Sequence, residues 1–207
     1  MHNLSACFVL GFHGCDRRVA ERLIRRRELF RRSENSYDWL GHGIYFWLEN
    51  PRRACEWARE RARLQKEFVP AVVGAIINLG NCLDLTTSAG IEHVKLGYLA
   101  LKGDYAERGV PLPENSRAHE KDGDRLIRRL DCVVINQTCQ LLEDNGTPVD
   151  TVKGIFTEGG WAYPGAGFKE RTHTQICVRN PECILGVFYP PREALGEDAL
   201  LCNDTPS

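Results

Sequence analysis

Residues 6–12 form an almost unbroken apolar run, Ala-Cys-Phe-Val-Leu-Gly-Phe, which is followed directly by His13 and Gly14. A strand with one face in solvent alternates between apolar and polar residues, whereas a continuous apolar run is typical of a strand that is buried on both faces. The segment therefore predicts a central strand that ends at His13 and Gly14.

Two helices are predicted after this strand by different signals. Residues 17–32 place apolar side chains at helical spacing and arginines elsewhere, which predicts an amphipathic surface helix. Asn50 is a good N-cap and Pro51 suits the first helical position, so a second helix is expected to run to about Glu67. Small residues on one face of that helix allow close approach to a sheet; they are Ala54, Ala58 and Ala62.

The remaining chain reads as a mixture of strands, helices and loops. Short buried or β-branched runs predict strands at 43–47, 69–79, 82–85, 152–156, 174–178 and 183–189. Helical patterns lie near 91–101 and 123–142. The polar, proline-containing stretch 103–122 between them predicts an insertion or a mobile loop. Residues 33–41 and the glycine-rich segment 158–169 also predict loops.

Composition excludes several classes of protein. The chain has 207 residues, of which 43% are hydrophobic and 27% charged, with a net charge of -1. This balance is typical of a folded domain and not of a disordered or strongly polyanion-binding chain. No apolar run approaches the ~20 residues that span a membrane, and no Lys or Arg precedes the short apolar run at 8–12, so neither export nor anchoring is expected.

The nine cysteines are scattered through apolar runs without any Cys-x-x-Cys pair. An odd number at irregular spacing favours buried, reduced thiols in a reducing compartment over a disulfide framework or a zinc site. The histidines likewise do not pair at metal-ligand spacing. A cytoplasmic location and the absence of a bound metal are therefore expected.

A further motif lies at 41–46, which reads Gly-His-Gly-Ile-Tyr-Phe and precedes the second helix. With a His-Gly strand before this motif and a late strand after it, the chain resembles ADP-ribosyltransferases of the His-Tyr-Glu type, the group of diphtheria toxin and the poly(ADP-ribose) polymerases. Similarity in motifs is confined to 11–15, 41–57 and 173–178. The resemblance implies an α+β fold with a split β-sheet and flanking helices, one catalytic domain over 1–207, and NAD as co-substrate.

The resemblance also assigns roles in binding NAD. His13 would bond the adenosine ribose, and Gly14 would bind the nicotinamide carboxamide through its backbone, where a side chain would hinder close approach. Tyr45, introduced by Gly43, would stack on nicotinamide, and Trp57 lies one residue from the position of a second aromatic. Taken singly, such residues are more often structural, but their joint order and spacing favour an NAD site.

A glutamine stands where the family carries a catalytic glutamate at the start of a late strand. Gln175 can accept the same ribose hydrogen bond but carries no negative charge, which argues against chain formation and leaves transfer of one unit. Glu170 can supply the missing carboxylate or deprotonate the acceptor; the alternative is a solvated charge paired with Arg171. His173 shares a strand face with Gln175, where it either contacts the acceptor or serves packing.

Arginines concentrate at 17–32, which carries a charge of +6 while the rest of the chain carries -7. Such a cluster attracts the NAD pyrophosphate, a nucleic acid or an acidic partner protein. Arg25 and Arg26 are candidate acceptor-binding residues. The alternative is a solvated helix face.

Together these features predict a mono-ADP-ribosyltransferase toxin that acts on a macromolecule, with nucleic acid, and RNA in particular, favoured over protein. Its size and the absence of a targeting segment resemble toxins of toxin-antitoxin or phage-defence systems, so an antitoxin is a further expected partner. Two alternatives stay open: an NAD glycohydrolase that depletes NAD, and a non-catalytic module that binds NAD or RNA.

Overall fold

The computed structural model describes residues 8–117, 126–196 and 202. These residues form two compact units, each assembled from separate segments of the chain. Unit 1 comprises the described residues within 1–31, 45–79 and 181–207. Unit 2 comprises those within 32–44 and 80–180.

Helices and strands both contribute to the described chain, which is therefore α+β. The helices are α1 (Arg17–Ile24), α2 (Pro51–Leu64), α3 (Ser88–Glu107) and α4 (Arg129–Asp144). The strands are β1 (Phe8–Asp16), β2 (Ile44–Leu48), β3 (Pro70–Asn78), β4 (Cys82–Asp84), β5 (Asn115–Ser116), β6 (Ile127–Arg128), β7 (Thr151–Phe156), β8 (His173–Val178) and β9 (Ile184–Phe188).

In unit 1 the strands lie in the order β2-β1-β3-β9, and every neighbouring pair is antiparallel. β1 pairs with β3 along its whole length, from Phe8 opposite Asn78 to Asp16 opposite Pro70. The predicted central position of β1 is confirmed within this unit. The strand continues two residues beyond Gly14, where the sequence predicts its end.

Each face of the unit 1 strands is covered by one helix. On one face α2 buries Ala54 and Ala58 completely, which confirms that its small side chains allow close packing. Its predicted start is also confirmed, because the Asn50 side chain accepts a hydrogen bond from the Arg53 N–H (2.9 Å) and Pro51 begins the helix. On the other face α1 packs through Leu23 and its neighbours against β1 and β3.

Unit 2 contains a smaller set of strands. β4 pairs in parallel with β7, and β7 pairs antiparallel with β8 from Thr151 opposite Val178 to Phe156 opposite His173. Helices α3 and α4 belong to the same unit. Gly97 on α3 leaves the space that Thr138 on α4 fills, so these two helices approach closely.

The predicted helix at 17–32 is too long, because α1 ends at Ile24. The Arg26 N–H donates to the Leu23 carbonyl (3.1 Å) and the Arg27 N–H donates to the Arg22 carbonyl (2.9 Å). This pair of bonds is the Schellman motif that closes a helix, and it places Arg26 in the left-handed region at φ 54°. Arg25 and Arg26 therefore lie at a turn and not on a helix.

Two helix boundaries in unit 2 also differ from the prediction. α3 extends through Glu107, so the first residues of the stretch predicted as an insertion or mobile loop, 103–122, are helical. α4 begins at Arg129 and not near residue 123. Residues 118–125 lie outside the described residues, and that part of the prediction remains a prediction.

The expectation of reduced thiols throughout is wrong for two cysteines, because Cys55 and Cys202 form a disulfide whose Cα atoms are 6.4 Å apart. The two are separated by 147 residues, so no local spacing reveals the pair. The other described cysteines are free thiols. Burial raises the pKa of the Cys15 thiol to about 12, so the thiol stays protonated and unreactive.

Over 8–117, 126–196 and 202, no helix is long and apolar enough to cross a membrane. Within the same ranges, no group of three or more His, Cys, Asp or Glu side chains is placed to hold a metal ion.

Candidate functional site

The pairing of β1 with β2 ends just before His13. The register of the two strands joins Gly11 to Leu48 and Phe12 to Trp47. On its other edge β1 stays paired with β3 to its last residue. β1 is therefore held on both edges near its middle and on one edge where His13 stands.

The His13 side chain takes the place of the next ladder hydrogen bond. The Glu49 N–H donates to the Leu10 carbonyl (2.9 Å), so even-numbered residues of β1 direct their N–H and C=O groups toward β2. Gly14 is the next such residue, and its partner in a continued ladder would be Tyr45. The Tyr45 carbonyl instead accepts a hydrogen bond from His13 Nδ1 (2.8 Å). The N–H and C=O of Gly14 consequently point toward an edge where β2 pairing has ended.

This contact fixes the tautomer of His13. A carbonyl oxygen can only accept, so Nδ1 carries the proton and Nε2 is the acceptor nitrogen of a neutral ring. Burial lowers the pKa of His13, and the bond to the Tyr45 carbonyl opposes this effect only in part. The rings of Phe30 and Phe46 lie against the imidazole, with centroids 5.4 and 5.7 Å away. The half-buried ring is therefore held in one orientation.

At Gly14, α2 also lies close against β1. A Cβ at this position would overlap the backbone oxygen of Ala54 and press on the Trp57 ring and the Ala58 methyl group. The sequence explains Gly14 by the approach of a ligand, whereas the structure adds that the helix itself requires a glycine here.

Tyr45 and Trp57 lie on the same side of the unit 1 strands. Tyr45 and Trp47 are two positions apart on β2, so their side chains leave the same face. Trp57 packs against Trp47 on that face, with ring centroids 5.9 Å apart, and Arg61 lies over Trp57 at 5.5 Å. Of the residues that the resemblance assigns to NAD, Tyr45 and Trp57 share one face of the unit 1 strands with α2. His13 packs with Phe30 and Phe46 on the opposite face, and its ring bonds the backbone carbonyl of Tyr45.

In unit 2, Gln175 belongs to a chain of hydrogen bonds. The Trp39 Nε1–H donates to Gln175 Oε1 (2.7 Å), and because an indole can only donate, this bond fixes which end of the amide is oxygen. Gln175 Nε2 then donates to His173 Nε2 (3.1 Å), and His173 Nδ1 donates to the Arg171 carbonyl (2.9 Å). The predicted proximity of His173 and Gln175 is confirmed. The buried His173 ring accepts a hydrogen bond from the amide of Gln175 and so helps to orient it.

Trp39 is a neighbour of the candidate residue Gln175 that the sequence did not reveal. Gly154 lies opposite Gln175 in the register of β7 and β8, and a Cβ there would overlap the Trp39 ring. The Trp39 ring also packs on Phe156, with centroids 5.1 Å apart. A glycine inside a strand indicates close approach of another group. Gly154 is therefore the sequence signal that could have indicated the position of the Trp39 ring.

Gly43 and Glu170 have structural contacts of their own in unit 2. A Cβ on Gly43 would overlap the Cys177 sulfur and the Val178 carbonyl, so packing against β8 requires a glycine at this position. The exposed Glu170 is tied to its own loop: its backbone N–H donates to the Gly160 carbonyl (3.0 Å), and its carboxylate accepts from the Gly160 N–H (3.3 Å). The predicted roles of both residues stay predictions.

Three arginines of 17–32 pair with carboxylates. Arg18 pairs with Asp16, while Arg22 and Arg31 both pair with Glu28. Residues 25–27, all arginine and all exposed, form the turn after α1. Positive side chains near a helix C-terminus interact favourably with its dipole, and the same exposed charges suit a polyanion.

We expect Arg26→Gly to separate these two explanations. Glycine tolerates the left-handed conformation, so thermal stability should rise by up to about 1 kcal/mol. If Arg26 contacts phosphates, the slope of log affinity for RNA against log salt should fall by about one. Arg63→Gln removes an exposed charge from α2 and should leave that slope unchanged. A greater stability with an unaltered slope would assign Arg26 a purely structural role.

No protein-family model matches the chain, and no solved structure gives a significant match. Over 200 residues the chain is 26% identical to the uncharacterized protein MJ0359 of Methanocaldococcus jannaschii, covering 84% of this chain and 83% of that protein. The similarity extends along most of both chains and brings no activity with it.

Proposed function

We propose that the protein is a mono-ADP-ribosyltransferase toxin, which transfers one ADP-ribose unit from NAD to a nucleic acid, RNA in particular, and releases nicotinamide. The observation that carries the proposal is the replacement of a ladder hydrogen bond by the His13–Tyr45 contact. It leaves the backbone of Gly14 directed to the edge of a strand beside an oriented imidazole.

This arrangement is complementary to the two ends of NAD. A carboxamide presents an acceptor oxygen and a donor NH2 group side by side, and the N–H and C=O of Gly14 offer one matching partner to each. The Nε2 of His13 can accept a hydrogen bond from a ribose hydroxyl. Tyr45 and Trp57, on one face of the strands, supply flat rings for a planar pyridinium.

Gln175 is proposed to act on the nicotinamide ribose. Its carbonyl oxygen accepts the Trp39 N–H and keeps a second lone pair, which can accept a ribose hydroxyl. The ribose–nicotinamide bond then breaks with its electron pair passing to the nicotinamide nitrogen. The acceptor attacks the anomeric carbon and loses a proton to a base, for which Glu170 is the candidate. The neutral amide suits transfer of a single unit.

The same proposal includes the split-sheet ADP-ribosyltransferase architecture, NAD as co-substrate without a metal, a cytoplasmic location and an antitoxin partner. The α+β arrangement supports the first of these at a coarse level only. The antitoxin rests on the resemblance alone.

The deciding experiment uses NAD labelled in its adenine and a bacterial lysate, with aliquots treated with RNase, DNase or protease before the bound label is measured. We expect RNase to remove the label. Tyr45→Ala should abolish labelling, whereas Tyr105→Ala, a half-buried tyrosine on α3, should not. Label removed only by protease would make protein the acceptor. Free ADP-ribose alone would mean a glycohydrolase, and unconsumed NAD would leave a binding module.

NAD affinity should also depend on pH through His13. The pKa of His13 is lowered in the fold, so the unfolded chain takes up this proton at a higher pH, near 6.5, than the folded protein does. Stability from the neutral ring is thus present above about pH 6.5 and declines as the pH falls below it. Protonated Nε2 cannot accept a ribose hydroxyl, so calorimetric titration should show NAD binding that is constant around neutral pH and weakens once the pH falls below the lowered pKa of His13.

His13→Gln supplies the matched test of this dependence. We expect the variant to bind NAD weakly with a flatter pH profile, whereas His93→Gln, at an exposed position on α3, should keep the wild-type profile. If His13→Gln and the wild type share one profile, His13 does not contact the ligand.

A further inference from the structure

The segment between β7 and β8 presents large aromatic rings to solvent. Trp161, Tyr163 and Phe168 are 61%, 57% and 65% exposed, and we refer to residues 158–170 as the aromatic loop. Single exposed apolar side chains are common on proteins, but three large rings within eight residues form a patch of the kind that marks an interaction surface.

The loop is ordered by its own backbone. The Ala162 N–H donates to the Phe168 carbonyl (3.0 Å), the Ala166 N–H donates to the Tyr163 carbonyl (3.0 Å), and Trp161 forms a β-bridge with Lys169. These bonds hold the rings on a hairpin-like frame, so their exposure does not arise from an unstructured chain. Such a frame lowers the entropic cost of binding a partner.

The chemistry of the patch selects flat, electron-rich partners. Apart from the aromatic rings, the aromatic loop contains no large apolar residue: no Leu, Ile, Val or Met. The Lys169 ammonium lies 5.3 Å from the centre of the Trp161 ring, which places a positive charge beside a stacking surface. An aromatic ring beside a basic side chain is a common means of holding an unpaired base.

A duplex exposes few base faces on which these rings could stack, because its bases already stack on one another. A single strand exposes both faces of each base. We propose that the aromatic loop is a stacking platform for unpaired nucleobases and that Trp161 and Phe168 each contact a base. Binding of a single strand stands independently of NAD chemistry; only the statement that this strand is the acceptor rests on the proposed function.

The test is fluorescence anisotropy of a labelled single-stranded RNA with the full chain, without NAD. We expect Trp161→Ala and Phe168→Ala each to weaken binding by about 5- to 100-fold. Trp161→Phe should retain most of the affinity because it keeps a ring. Tyr37→Ala, which removes an exposed ring outside the loop, should bind as the wild type does, and thermal unfolding should confirm that all variants are folded.

An abasic strand of equal length separates stacking from charge. It keeps its phosphates and loses its rings, so wild type and Trp161→Ala should bind it equally and weakly. The proposal is overturned if the wild type binds abasic and intact strands alike, if duplex RNA binds as tightly as single strands, or if the alanine variants keep wild-type affinity. If the protein binds RNA through the aromatic loop but does not consume NAD, the proposed transferase activity is refuted and the proposed stacking platform is retained.

Discussion

Gln175→Ala is expected to lower the rate of nicotinamide release by about 100- to 1,000-fold, with the fold intact. The proposed role of the amide is to hold the ribose hydroxyl through a hydrogen bond, and removal of one preorganised hydrogen-bonding group from a transition state typically costs this much. The substitution also leaves the Trp39 N–H without its carbonyl acceptor. Nicotinamide release, measured by chromatography at saturating NAD, reports the loss directly.

Two comparisons make this result specific. Gln140→Ala removes an exposed glutamine from α4 and should leave the rate unchanged. Trp39→Phe keeps a ring in the space beside Gly154 but deletes the N–H that orients the amide, so we expect a smaller loss of about five- to tenfold, confined to the rate. A Gln175→Ala protein that releases nicotinamide at the wild-type rate would remove Gln175 from the reaction.

Local signals predicted the elements that frame the candidate site. The continuous apolar run defined β1, and the Asn50–Pro51 pair defined the start of α2, because burial and helix capping depend on a few adjacent residues. The end of α1 was missed for an equally local reason: an arginine occupies the left-handed position where glycine is usual. Helical spacing beyond Ile24 was therefore misleading.

Contacts between distant residues were beyond local signals. Trp39 and Gln175 are 136 positions apart. In the sequence, only the glycine at 154 indicated that a large side chain lies against β7 at this point. The sequence predicted roles in binding for His13 and Tyr45, but the hydrogen bond between them depends on where two strands diverge. Such geometry follows from the packing of whole elements, which no spacing of residues encodes.

Gly14→Ala should lower the stability of the protein clearly more than Gly186→Ala on β9 does. The added Cβ would overlap the backbone oxygen of Ala54, which cannot move unless α2 shifts away from β1. Overpacking of this kind typically costs about 1–3 kcal/mol, which corresponds to a fall in melting temperature of roughly 2–12 °C for a chain of this size. Calorimetry or circular dichroism during heating measures the change.

Gly186→Ala on β9 is the matched control, because its Cβ would meet only the Ile76 side chain at 3.8 Å. We expect that variant to melt within about 2 °C of the wild type. Gly14→Ala keeps the N–H and C=O proposed to bind the carboxamide. Its NAD affinity, measured at a temperature where the variant is folded, therefore reports whether a shift of α2 also disturbs the edge of β1 at position 14. An unchanged melting temperature would show that α2 accommodates the added Cβ. In that case only the approach of a ligand would require glycine at position 14.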